Sequence, residues 1–163
     1  MNLCFYFQVH QPYRLKKYKI FDIGKNHDYF EDELNKKIMT KVANKCYIPT
    51  NNLMLTLLHK FPNFKIAYSI TGTALEQFRD FAPDVLKSFK QLAKTGRVEF
   101  LSETYYHSLS FLYSRQEFKE QVEKHKKAIE ETFGQTPTVF RNTELIFNNE
   151  LANVVQNMGY KAI

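Results

Sequence analysis

The stretch Gly96-Arg97-Val98-Glu99-Phe100-Leu101-Ser102-Glu103 contains the signals that decide the fold of this chain. A glycine at this point ends a helix predicted over residues 73–94, because the residue after a helix often adopts a left-handed conformation. The apolar residues that follow predict a strand over residues 97–102. Polar residues then lead into Thr104-Tyr105-Tyr106-His107. Helix, glycine, strand and polar strand end, in this order, indicate one unit of a parallel α/β fold.

The same order of elements recurs along the chain. Strands are predicted over residues 3–9, 64–70, 97–102 and 138–141, and a fifth begins at 160–163. Helices are predicted over residues 31–46, 51–59, 73–94 (with a break at Pro83), 114–134 and 148–159. Helical spacing predicts the buried positions of the first two helices as Leu34, Ile38, Val42 and Cys46, then Leu53, Met54, Leu57 and Leu58.

Strands that alternate with helices predict an α/β protein with a parallel sheet. A parallel strand needs cover on both faces, and no helix follows the predicted fifth strand. We therefore expect residues 1–163 to form the N-terminal part of one larger barrel domain, truncated within or just after the fifth strand.

Composition favours an ordinary globular protein: 44% of residues are hydrophobic and 25% are charged. The formal net charge is +6, but lysines alternate with glutamates along the helices, which argues against a nucleic-acid partner. No apolar run approaches the roughly 18 residues of a membrane span. The chain start has no basic segment and is interpreted as a strand and not a signal peptide. Two cysteines without metal-ligand spacing predict a reducing, cytoplasmic location and no metal or other cofactor.

Three polar segments lie at or beside predicted strand ends. His10-Gln11-Pro12 follows the first strand, and Arg141-Asn142-Thr143-Glu144 ends the fourth. The third segment begins with Gly96-Arg97-Val98-Glu99, continues to Glu103 and runs into Thr104-Tyr105-Tyr106-His107. The carboxyl ends of parallel strands meet at one edge of the sheet, where α/β folds place their chemistry. We therefore predict one site that is shared between distant segments, with Glu144 as its central carboxylate.

With these three segments, in this order, the chain resembles glycoside hydrolase family fifty-seven, the α-amylase and 4-α-glucanotransferase group. The resemblance implies an irregular (β/α)7 barrel and a retaining mechanism on α-1,4-glucans. It implies that Glu144 is the nucleophile and that His10 and Glu99 line the adjacent sugar subsite. The family's general acid is an aspartate on a later strand, so these 163 residues alone are expected to be inactive. The family often has His-x-His-Gln-Pro, whereas Gln8 occupies the earlier position here.

The residue chemistry agrees with this implication. A retaining glycosidase needs two carboxyl groups about 5–5.5 Å apart, and the attacking one must stay ionised. Arg141 is near Glu144 in sequence and is a candidate donor to it. The rings and polar tips of the tyrosines at 105 and 106 and of His107 suit sugars. The expected substrate contacts are His10, Gln11, Glu99, Tyr105, His107 and Arg141.

Two other functions stay open from the sequence. A metal-dependent polysaccharide deacetylase needs an Asp-Asp pair after the first strand and a His-x-x-x-His pair, and neither motif is present. A non-catalytic carbohydrate-binding domain is also compatible, because the general acid is missing. The oligomeric state and the choice between hydrolase and transferase are left open.

Individual residues have structural alternatives as well. Glu144 is compatible with a carboxylate that opposes a helix dipole, and Glu99 with an ion pair to Arg97 or Arg141. Glu103 is compatible with a surface position. His125 lies on the apolar face of its helix, which predicts a semi-buried histidine with satisfied hydrogen bonds.

Overall fold

A three-stranded parallel sheet lies at the centre of the protein in the computed structural model, which describes residues 3–163. Strands β1 (Tyr6–Val9), β2 (Ile66–Ile70) and β3 (Val98–Leu101) lie side by side in this order. Val9 pairs with Ile70, and Ser69 pairs with Leu101. The predicted parallel α/β class is therefore confirmed.

Two further segments continue the sheet through single residue pairs. Ser102 pairs with Phe140, and Val139 pairs with Ala162, both in parallel. The strands expected at 138–141 and 160–163 are reduced to these bridges. The first strand begins at Tyr6 and not at residue 3, because Leu3 is 70% exposed and has no packing that would extend it.

Within residues 3–163, six α-helices flank the sheet, and the two predicted N-terminal caps at Ser114 and Asn148 are present. The Ser114 hydroxyl accepts a hydrogen bond from the backbone N–H of Glu117 (3.2 Å), and Asn148 Oδ1 accepts one from the N–H of Leu151 (2.7 Å). The helices are α1 (Asp32–Val42), α2 (Ile48–Lys60), α3 (Gly72–Phe81), α4 (Pro83–Lys94), α5 (Arg115–Phe133) and α6 (Asn149–Asn157). Three-residue 3-10 turns occur at Ile20–Asp22, Ser110–Leu112 and Thr143–Leu145.

The predicted gap between the first two helices is wrong. A π-helical turn, Ala43–Tyr47, joins α1 directly to α2. Pro49 lies in the first turn of α2, directly after the π-helical turn, and the proline does not end the helix.

The predicted buried face of α1 is also wrong, by one residue. Leu34 is 42% exposed, whereas Asn35 and Met39 are buried. Asn35 is buried because its side-chain Oδ1 accepts a hydrogen bond from the backbone N–H of Arg14 (2.8 Å). A polar residue on the buried face removes the hydrophobic signal on which the prediction depended.

Helices cover one face of the sheet and leave the other face open. Val9, Tyr68 and Phe100 point into the main hydrophobic core beneath α3 and α4, as the strand alternation predicts. A second core beneath α5 and α6 contains Phe118 and Phe140. The open face, with the residues that follow its strands, is where the polar side chains meet.

Candidate active site

Polar side chains from four segments converge beyond the carboxyl ends of β1, β2 and β3. We call this group the strand-end cluster. It consists of Gln8, His10, Ser69, Thr71, Glu103, His107, Arg141 and Glu144. The structure thus brings together four of the residues that the sequence suggested, namely His10, His107, Arg141 and Glu144.

Two stacked histidines form the middle of the strand-end cluster. The rings of His10 and His107 lie 4.2 Å apart between centroids, with 25° between their planes. His10 Nδ1 lies 3.0 Å from the Thr71 hydroxyl, which also caps α3. Burial, and next the neighbouring His107, lower the pKa of His10 from 6.5 to about 4. His10 is therefore a neutral hydrogen-bonding group at neutral pH.

Glu144 projects from the 3-10 turn into open space, and its side chain is 69% exposed. Among residues 3–163, its hydrogen-bond partner is His107, whose Nε2 lies 3.3 Å from Glu144 Oε1. Glu144, Leu145 and His107 all have positive φ angles, of 53° to 55°. This conformation costs on the order of 1–2 kcal/mol for each L-residue. Strained backbone of this kind concentrates at functional sites, where it aims a side chain.

Glu103 is the main residue whose location was not predicted correctly from the sequence. It is fully buried and not at the surface. Its Oε1 accepts a hydrogen bond from the Ser69 hydroxyl (2.7 Å), and its Oε2 lies 3.2 Å from His107 Nδ1. The alternation of β3 contained the missing signal, because Glu103 continues the row of Glu99 and Leu101 onto the open face of the sheet.

His125 holds the backbone of Glu103 from behind. His125 was expected to be semi-buried but is fully buried, and its Nε2–H donates to the carbonyl oxygen of Ile70 (2.7 Å). Its Nδ1 then accepts from the backbone N–H of Glu103 (3.3 Å), so both ring nitrogens are satisfied by the neutral form. Burial lowers the pKa of His125, which agrees with a neutral ring.

Arg141 does not donate to Glu144, so this prediction is wrong. Its Nη2 donates to Gln8 Oε1 (2.8 Å), and its Nη1 lies 3.9 Å from Glu103 Oε2. Gln8 Nε2 in turn lies 3.3 Å from His107 Nε2. Arg141 is only 8% exposed, and its Nε and Nη1 have no hydrogen-bond partner within residues 3–163. The sequence indicated Gln8 only as a departure from a family motif. In the structure Gln8 lies between Arg141 and His107 and contacts both.

Gln11 and Tyr105 lie outside the strand-end cluster, although both were expected to contact substrate. Gln11 Oε1 accepts two hydrogen bonds from the Arg14 guanidinium (3.2 and 3.3 Å), which holds the loop after β1. The Tyr105 ring is buried against Gly72, where an added Cβ would come within 2.5 Å of it. The structure therefore gives both residues packing contacts that position loops.

Glu99 also lies away from Glu144. It is exposed on the open face near the start of β3, and the Thr138 hydroxyl donates to its carboxylate at 3.5 Å. Neither Arg97 nor Arg141 forms an ion pair with it. A cavity of about 450 Å³ runs along this open face and is lined by both Glu99 and Arg141.

The described residues contain neither a candidate metal site nor a candidate membrane-spanning helix. Within residues 3–163, no three His, Cys, Asp or Glu side chains are grouped so that they could hold a metal ion. None of the described helices is both long and apolar enough to cross a membrane. Cys4 and Cys46 are exposed thiols.

Comparison with known proteins identifies the family to which this chain is similar. The sequence model of the family described as Glycosyl hydrolase family 57 matches residues 4–163. The "Putative alpha-amylase" of Methanocaldococcus jannaschii is 48% identical over 169 residues, which cover 100% of this chain and 35% of that protein. The chain therefore spans about a third of the length of this relative.

Two solved structures share the fold. The 4-alpha-glucanotransferase from Thermococcus litoralis matches 96% of this chain and 21% of its own, with a TM-score of 0.69 and 20% identity. The alpha-amylase AmyC from Thermotoga maritima also matches 96% of this chain, and 38% of its own, with a TM-score of 0.63 and 15% identity. The helices and parallel strands described above thus correspond to part of these larger barrels.

Proposed function

Because the chain belongs to glycosyl hydrolase family 57, we propose that it carries the nucleophile of a retaining enzyme that hydrolyses or transfers α-1,4-linked glucans. The proposed nucleophile is Glu144. The observation that supports it best is the exposed carboxylate, held over a strand end by a strained backbone and by His107. The amylase and glucanotransferase names of its relatives support glucans as the substrate class.

In the proposed reaction, a Glu144 carboxylate oxygen attacks the anomeric carbon of the donor glucose while the glycosidic oxygen leaves with a proton. The resulting ester is then broken by water in hydrolysis, or by a hydroxyl group of a second glucan in transfer. His107 faces Glu144 Oε1 and Glu103 Oε2 with its two ring nitrogens. These two contacts orient Glu144 relative to the strand ends.

The proton donor requires a second carboxyl group. Glu103 is the nearest described carboxyl to His107, but it is fully buried and already engaged by Ser69. We therefore assign Glu103 to positioning His107 and place the general acid, the family's aspartate, outside these 163 residues.

The proposed sugar contacts follow from which polar atoms remain accessible. His10 and His107 line a cleft beside Glu144, and Arg141 lines the cavity along the open face of the sheet. Glu99 becomes a proposed contact for substrate that extends along the open face of the sheet. Gln11 and Tyr105 are proposed to act indirectly, by holding loops.

The test is Glu144→Gln in the full-length protein, with Glu150→Gln as the matched control. Glu150 is an exposed glutamate of α6 that pairs with Arg115 (2.7 Å). Loss of the attacking charge should lower turnover of malto-oligosaccharides by at least about a thousandfold, whereas the control should keep wild-type activity. Early proton NMR of the products should show the α configuration. A Glu144→Gln enzyme with activity within tenfold of wild type, or products of inverted configuration, would contradict the proposal.

A further inference from the structure

A second cleft, of about 500 Å³, opens between the loop of residues 10–31 and the connection from β3 to α5. It shares His10 and His107 with the strand-end cluster. We infer that this cleft is a binding subsite for an α-glucan chain, in which Phe30 and Tyr106 pack on sugar rings and Glu76 accepts sugar hydroxyl groups. The inference rests on the proposed function for the identity of the ligand.

The loop that forms one wall of the cleft is a built structure. Its two arms pair in antiparallel fashion at Leu15 and Phe30, and the backbone N–H of Lys16 donates to the carbonyl oxygen of Tyr29 (2.9 Å). Buried Asn35 fixes the base of the loop through the backbone of Arg14. Tyr13 and Phe30 are therefore presented from a hydrogen-bonded hairpin.

Exposed aromatic rings lie on both sides of the cleft. Phe30 is 41% exposed and packs against Tyr13, with 4.5 Å between ring centroids. Tyr106, on the opposite side, is 46% exposed. Aromatic rings lining a concave site, with a few polar groups to fix orientation, are typical of small-ligand sites of this size. The apolar faces of glucose rings fit such platforms. The sequence predicted a sugar contact at Tyr105, but the ring of Tyr105 is buried.

Glu76 is the polar group that gives the cleft a preferred ligand chemistry. The Tyr105 hydroxyl donates to Glu76 Oε1 (2.8 Å), and the Tyr13 hydroxyl donates to Oε2 (3.4 Å). Burial, with a further contribution from Glu76, raises the pKa of both phenols, so they remain donors. A carboxylate accepts about four hydrogen bonds, so each oxygen of Glu76 keeps capacity for a hydroxyl group. Glu76 therefore favours a ligand that offers hydroxyl donors, as a sugar does.

The location of the cleft connects it to the proposed chemistry. His107 lies in its wall and also contacts Glu144. A glucan chain bound between Phe30 and Tyr106 would therefore extend directly to the proposed nucleophile. The subsite would select longer oligosaccharides, because a single glucose at Glu144 would not reach both rings.

Maltotetraose binding tests the inference. Affinity is measured calorimetrically in the full-length protein with Glu144→Gln as background, so that the sugar is not consumed. Tyr106→Ala, Phe30→Ala and Glu76→Gln should each raise Kd at least about fivefold. The matched controls are Tyr113→Ala, from the same connection (88% exposed), and Phe21→Ala, from the same loop (79% exposed), and these should leave Kd unchanged. Circular dichroism confirms that each variant is folded.

Equal affinities in the cleft variants and their controls would overturn the inference. It would also be overturned if millimolar maltotetraose did not bind, or if chitotetraose bound in its place. The two proposals fail separately. If the enzyme converts malto-oligosaccharides through Glu144 but the cleft variants bind normally, only the subsite is wrong. If the cleft variants lose affinity but the wild-type protein does not convert the sugar, only the catalytic proposal is wrong.

Discussion

Removing the charge of Glu103 should destabilise the protein far more than removing a charge elsewhere on the same strand row. Glu103 is fully buried, and its carboxylate accepts from Ser69 at 2.7 Å and faces His107 Nδ1 at 3.2 Å. Glu103→Gln preserves the shape and leaves an oxygen for Ser69. It removes the charged partner of His107 and of the buried Arg141 guanidinium.

The expected loss follows from the strength of these contacts. Hydrogen bonds to charged groups contribute about 1.5–3 kcal/mol, so the substitution should cost roughly 2 kcal/mol. For a protein domain of this size, that corresponds to a fall in Tm of roughly 4–8 °C. The measurement is thermal unfolding at neutral pH, followed by circular dichroism.

Glu99→Gln is the matched control, because Glu99 lies on the same face of β3 but is exposed and contacts Thr138 at 3.5 Å. Its effect should stay within about 0.5 kcal/mol. If both variants shift Tm equally, Glu103 does not hold the cluster together. A double-mutant cycle with Arg141→Met adds a second check: the arginine substitution should cost less when Glu103 is already Gln.

The remaining predictions concern pH and metals. Because burial lowers the pKa of His10 to about 4 from 6.5, the unfolded chain binds a proton in this window and the folded chain does not. The free energy of unfolding should therefore fall as pH drops from about 6.5 to about 4. His10→Gln should reduce this dependence on pH. An NMR titration of His10 with a midpoint near 6.5 would contradict the prediction. Because the proposed reaction uses the Glu144 carboxylate as nucleophile and needs no metal, the proposed activity of the full-length protein on malto-oligosaccharides should survive EDTA. Loss of activity that zinc restores would instead favour deacetylase chemistry.

Local backbone chemistry explains the predictions that succeeded. Gly96 has a φ of +68°, as expected for the residue after a helix, and Pro83 opens α4. Ser114 and Asn148 cap their helices through bonds that span three residues. All these signals involve residues that are close in sequence, so the interacting groups can be recognised from the sequence alone.

The failed predictions concern partners that are distant in sequence. Helical spacing is compatible with a buried face of α1 that runs through Leu34 or through Asn35. The contact between Asn35 and Arg14 accompanies burial of Asn35. Arg141 is near Glu144 in sequence, but the fold directs its guanidinium to Gln8, which is 133 positions away. Residue spacing predicts on which face of a strand or helix a side chain lies, but not which distant residue that side chain contacts.

The sequence by itself determined the alternation of helices and parallel strands, their order, and the convergence of His10, His107 and Glu144 at one edge of the sheet. Parallel strands place their carboxyl ends together whatever their side chains are, so this convergence follows from the order of elements. Only the tertiary structure decided the connections among these residues: Glu103 buried behind His107, Gln8 between His107 and Arg141, and Tyr105 behind Glu76. The physical reason is that burial and hydrogen bonding depend on side chains from other segments, whereas the type of each element depends mainly on the periodicity of its own segment.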